Sequence, residues 1–248
     1  MRATTARIGR IVSCLLVCAA ACVHAAPITN GGFESGDFTG WTTVGVASVL
    51  DATFGSGPIE GTYQAFMNTL DGSAPLLANQ AAIEVFLGLP AGRLDAINSS
   101  DAIEGSAIRQ SLTGDAGDIL SFDWNFLTNE IEEGEGVNDF AFWCLVNLDT
   151  GQLLADIFTP GFVASPTAMF EDETGFRNVT FALPSGGTFV LGFGVVDVGD
   201  PDVASGLLID NVSLTSTNAE IPEPCSITLC VLGALGLVAR RARGKRRK

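Results

Sequence analysis

The chain has 248 residues, 47% of them hydrophobic, with 28 acidic side chains against 13 basic ones and a net charge of −15. The cations crowd into the first ten and last nine residues, so residues 26–221 hold 27 acids against only Arg93, Arg109 and Arg177, and the single histidine, His24, lies ahead of them. Such a body repels phosphate backbones, which excludes nucleic acid as a partner, and without histidine it cannot assemble a Ser-His-Asp or Cys-His pair or a His-ligated zinc.

Residues 1–25 have the form of a secretory signal peptide. Arg2, Arg7 and Arg10 form a positive start, Ile11–Val23 an apolar run, and Val23-His24-Ala25 a site suited to cleavage after Ala25. Cys14, Cys18 and Cys22 leave with that segment and Cys225 and Cys230 belong to the far C-terminus. Cys144 is then alone in the body, and no internal disulfide is expected. Its phase with Phe140, Phe142 and Val146 predicts a buried side chain rather than a nucleophile.

The body, 26–214, reads as strands. Trp41–Leu50, Thr62–Asn68 and Ala107–Leu112 are early candidates. Leu76–Leu87 instead places Leu76, Gln80, Ile83, Phe86 and Leu87 at helical spacing, stopped by Gly88 and Pro90, and predicts one short helix followed by a loop over Gly92–Asp101. In Ile119–Phe126 the residues Leu120, Phe122, Trp124 and Phe126 share one face, with Ser121, Asp123 and Asn125 on the other. Asp139–Val146 alternates similarly. Trp143, out of phase with Phe140 and Phe142, is expected outside, where it is the best candidate for a sugar-stacking platform among Trp41, Trp124, Trp143 and Tyr63. Val179, Phe181 and Leu183 lead through a predicted hairpin turn at Ser185-Gly186-Gly187 into Phe189–Val195, and Leu207–Leu214 closes the set. Two acidic loops, one with Glu130, Glu132, Glu133, Glu135 and Asp139, the other with Asp197, Asp200 and Asp202, lack EF-hand spacing and read as solvated. The expected fold is all-β: a two-sheet, jelly-roll-like β-sandwich with one short inserted helix.

Two motifs at the ends of this body carry a resemblance. Asn30-Gly31-Gly32-Phe33-Glu34 with Gly40-Trp41, and Leu208-Ile209-Asp210-Asn211-Val212-Ser213-Leu214, resemble the opening and closing segments of jelly-roll carbohydrate-binding modules of the galactose-binding-like class. The resemblance implies that first and last strands lie side by side, with a structural calcium held by the matching positions, Glu34 and Asp210. A glycan ligand is the corresponding alternative to a structural or adhesive role; its binding residues are not legible. For catalysis, only a carboxylate pair of the glycosidase kind survives, with Asp123, Glu130 and Asp139 as candidates, and the chain reads as a non-enzyme.

After a linker, 215–221, the chain ends in three parts: Pro222-Glu223-Pro224, an uncharged apolar run over 225–239, and a basic tail in which Arg240, Arg241 and Arg243 come first. Fifteen helical residues span about 22 Å against a hydrocarbon core of roughly 30 Å, a short membrane segment with its cations on the cytoplasmic side. This segment, 222–248, resembles the PEP-CTERM sorting domain of bacterial exported proteins. The resemblance implies recognition and processing by an exosortase, a transient stay in the inner membrane, and delivery to the cell surface or an extracellular polysaccharide matrix.

Overall fold

The computed structural model describes residues 28–70, 76–130, 137–199 and 203–217. The expected signal peptide, Pro222-Glu223-Pro224, the apolar run 225–239 and Arg240, Arg241 and Arg243 all lie outside the described residues, as do Glu132, Glu133, Glu135, Asp200 and Asp202.

Two antiparallel sheets face one another. The first contains β1 (Thr42–Val44), β4 (Ala78–Asn79), β5 (Ala102–Gly114), β7 (Phe140–Val146), β8 (Asp149–Asp156) and β12 (Gly187–Val198). Its order is β1-β5-β12-β7-β8, with β4 further along the same edge of β5 as β1. The second contains β2 (Val46–Asp51), β3 (Tyr63–Asn68), β6 (Ile119–Thr128), β9 (Val163–Ala164), β10 (Asp172–Glu173), β11 (Arg177–Ala182) and β13 (Ser205–Thr215). Its order is β2-β3-β13-β6-β10-β9, with β11 also on β6. The jelly-roll-like sandwich is therefore present. Its main core lies between the sheets, where Leu120, Phe122, Trp124 and Phe126 of β6 meet Phe189, Leu191, Phe193 and Val195 of β12.

Several expectations change. The stretch Trp41–Leu50 is not one strand. Gly45, at φ 76°, breaks it so that β1 joins the first sheet and β2 the second, and a Cβ there would stand 2.4 Å from the Gly105 carbonyl oxygen. Ser185-Gly186-Gly187 is no hairpin: β11 pairs with β6 while β12 pairs with β5 and β7, so the turn arches from one sheet to the other. Val179 and Phe181 thus pack against the main core from the sheet opposite Phe189 and Leu191.

The third change concerns β7. Trp143 is buried between the sheets, with its ring centroid 5.4 Å from Phe122 and 5.6 Å from Phe181. Phe140, Phe142 and Cys144 face the other way into a second apolar cluster with Ile83 and Leu87 of α1 (Gln80–Leu87) and Leu94 of α2 (Arg93–Asn98). Both faces of this strand are covered, so its alternation has no polar side. Cys144 is buried as expected, though beneath a helix. Helix α1 lies close because β12 carries glycine beneath it: a Cβ on Gly192 would be 2.5 Å from Leu87 Cδ2. The predicted loop over Gly92–Asp101 contains α2. Buried Glu84 accepts hydrogen bonds from the N–H groups of Gly92 and Leu94, both at 3.0 Å, and so caps the start of that six-residue helix.

Candidate functional site

The opening segment lies beside β13. The Val212 N–H donates to the Gly31 carbonyl at 2.9 Å, and a Cβ on Gly31 would sit 1.9 Å from the Val212 carbonyl oxygen, so only glycine permits the approach. Register in β13 shifts between Asp210 and Ser213, and Asn211 has φ 52°. This bulge lets Ile209 and Val212 both enter the main core while Asp210 points to the outer face of the second sheet.

The seam brings Glu34 and Asp210 to one loop, residues 59–63. Glu34 Oε1 accepts from the N–H groups of Thr62 (2.8 Å) and Tyr63 (3.0 Å), and Oε2 from Thr62 (3.0 Å). Fully buried Asp210 accepts at Oδ2 from Ile59 (2.8 Å) and Glu60 (3.1 Å), and at Oδ1 from Asn211 (2.6 Å). Burial raises the Asp210 carboxyl above its ordinary range and the Glu34 charge adds to this, while the three backbone donors act against it. The two carboxylates hold the loop directly. For calcium they offer two acidic side chains, with a second lone pair free on Glu34 Oε2 and Asp210 Oδ1, which accept one hydrogen bond each, and no third acidic, histidine or cysteine side chain joins them among the described residues.

Asp123 stands opposite Asp210 in register, and its two oxygens accept from Asn178 (2.9 Å) and Asn211 (3.1 Å). Glu130 and Asp139 are elsewhere: Glu130 Oε2 accepts the Asp139 N–H at 2.8 Å, at the margin of the first sheet. Asp123 points to the outer face of the second sheet and Asp139 toward the space between the sheets, so the three candidate acids do not form one site.

The aromatic platform expected at tryptophan is absent from the surface. Trp41, Trp124 and Trp143 are 6%, 5% and 3% exposed. The exposed ring is Phe158, 65% exposed, at a turn whose geometry Asp156 fixes by accepting from Phe158 N–H (3.0 Å) and the Thr159 hydroxyl (3.2 Å), with Asn138 bracing Asp156 in turn. A lone phenylalanine after a strand gives no periodic signal, so the sequence did not single it out. A cleft of about 410 Å³ lies at the other edge of the first sheet, lined by Thr29, Gly40, Thr42, Arg109, Gln110 and Ser111. There Gln110 clamps the Thr29 backbone through both ends of its amide (2.7 and 2.9 Å), and the Arg109 guanidinium lies 4.7 Å from the Phe86 ring centroid.

No protein-family model matches the chain, and no curated protein matches it. Solved structures resemble it distantly. The K1 cleaved adhesin domain of Lys-gingipain from Porphyromonas gingivalis is 12% identical over 78% of this chain and 99% of its own, with a TM-score of 0.42. A carbohydrate-binding module from Caldicellulosiruptor saccharolyticus, solved with mannohexaose, is 13% identical over 80% of this chain and all of its own, at 0.37. A xylan-binding domain from Paenibacillus barcinonensis is 11% identical over 80% of this chain and 99% of its own, at 0.36. The sandwich described here stands on its own strand order.

Proposed function

We propose that the chain is an exported, non-catalytic β-sandwich with a structural or adhesive role at the cell surface or in the extracellular polysaccharide matrix, delivered through its PEP-CTERM segment by an exosortase. The observation behind the non-catalytic role is how the acids of the body are engaged. Glu34 and Asp210 hold backbone amides of the 59–63 loop, Glu84 those at the start of α2 and Asp156 those of its own turn, and Asp123 is held between two asparagines, in a body that has no histidine. Intact mass of the protein recovered from its producing cells tests the delivery. A species lacking both residues 1–25 and the C-terminal segment is expected, and full-length chain in the cytosol would refute it.

Glycan binding is the second reading, favoured by the exposed Phe158 ring on a turn braced by Asp156, which offers an apolar face for a sugar. On a glycan array the protein would then retain a polysaccharide, and Phe158→Ala would reduce retention at least about tenfold without lowering Tm. Retention unchanged by Phe158→Ala would move the contact to the cleft around Arg109.

Calcium between Glu34 and Asp210 remains part of the proposal. It predicts that a chelator loosens the 59–63 loop and speeds its amide exchange, a response that Glu34→Gln removes.

A further inference from the structure

Two aspartates from acidic stretches far apart in the chain meet inside the sandwich. The register pairing Phe140 with Val196 sets Asp139, just before β7, beside Asp197 of β12, and Asp197 is paired with Glu104 on its other side. By alternation with Ala141, Trp143, Phe193 and Val195, the two aspartates face the space between the sheets. They look toward the hydroxyls of Ser205 on the second sheet and of Thr69, just beyond the end of β3. Both are 0% exposed.

Of their four carboxylate oxygens, only Asp139 Oδ1 has a partner, the Val198 N–H at 2.9 Å. Asp139 Oδ2 and both oxygens of Asp197 have none among the described residues. No cation of the body is directed there: Arg93, Arg109 and Arg177 donate to the carbonyls of Gly151, Phe86 and Pro160. An uncompensated buried carboxylate is among the costliest features a fold can hold. Burial first, then neighbouring negative charge, pushes Asp139 up to about 10 and Asp197 to about 7. One shared proton would satisfy two of the three orphan oxygens, whereas a divalent cation would satisfy all three. The donors are hard oxygens, carboxylate and hydroxyl, which is the chemistry of calcium.

We propose that Asp139 and Asp197 hold a calcium ion between the two sheets, at a site separate from Glu34 and Asp210. No third acidic, histidine or cysteine side chain closes on them among the described residues, so neutral oxygens complete the shell, the Ser205 and Thr69 hydroxyls being the nearest. A cation there ties β7 and β12 of one sheet to β13 of the other.

The test is thermal unfolding of the full-length protein, stripped with chelator, at neutral pH with and without calcium chloride. Millimolar calcium, the range of extracellular modules, is expected to raise Tm by at least about 5 °C. Asp197→Asn should start at or above the Tm of the stripped wild type; in a Glu34→Gln background, which removes the seam ion, calcium should still raise Tm, and adding Asp197→Asn should abolish that rise. Asp139→Asn should behave like Asp197→Asn, and if it fails to fold, Asp197→Asn alone decides. A wild-type Tm indifferent to calcium, or a rise in Glu34→Gln that Asp197→Asn does not remove, overturns the proposal; a rise abolished by Glu34→Gln alone would assign the ion to the seam instead.

Discussion

Asn211 determines how the last strand presents its two faces. Its left-handed backbone creates the bulge that seats Ile209 and Val212 together in the core, and its amide donates to Asp123 Oδ2 at 3.1 Å. Asparagine enters this conformation more readily than most residues, and a β-branched side chain does so worst. Asn211→Gly, which loses only the side-chain bond, should cost about 1 kcal/mol, and Asn211→Val about 3 kcal/mol, in urea unfolding. Equal losses would show that the bulge is not the source of strain. At this scale the sequence was partly legible. The opening and closing motifs could be seen to belong together, and Gly31 does meet Val212, but the opening motif forms turns rather than a strand, and the first strand, β1, pairs with β5 in the other sheet. What Glu34 and Asp210 hold could not be seen, because their amide partners are 28 and 150 residues distant along the chain.

Among the elements, strands with one polar face were the readable ones: β6 was expected over Ile119–Phe126 and occupies Ile119–Thr128. The errors share a cause, which is that local pattern cannot report what covers an element from outside. Trp143 was placed outside because β7 was assumed to have a solvent face, and α1 and α2 remove it. The Ser185-Gly186-Gly187 turn has residues that suit a hairpin and an arch equally well. Helix α2 has too few residues to be stable alone and depends on its tertiary setting, above all on the buried Glu84. Glu84→Leu removes the acceptor for Gly92 and Leu94 and should cost about 2 kcal/mol. Amide exchange should accelerate over Gly92–Ser100 while β5 and β12 stay protected; uniform acceleration would mean that Glu84 supports the whole sheet.

For the molecule as a whole, the acidic excess makes pH a direct probe. Asp139 and Asp197 carry folded-state values of about 10 and about 7 against an ordinary 3.8, and Asp210 is shifted in the same direction. A carboxyl whose value is raised by folding favours the native state fully below its unfolded value, and that contribution is lost as pH rises through the folded value. In chelator, Tm should therefore fall as pH rises from about 5 to about 9, and Asp139→Asn with Asp197→Asn should flatten the slope. Asp37 and Asp51, held below 3.8 by hydroxyl and amide donors, titrate under that window and do not blur it. A slope unchanged in the double variant would locate the proton uptake elsewhere. The direction of β13 has one more consequence. The strand begins at Ser205, among the buried aspartates, and runs eleven residues, about 35 Å, to Thr215. Residue 217 therefore stands at the pole opposite the buried aspartates, so a force applied there reaches them only along the whole length of β13.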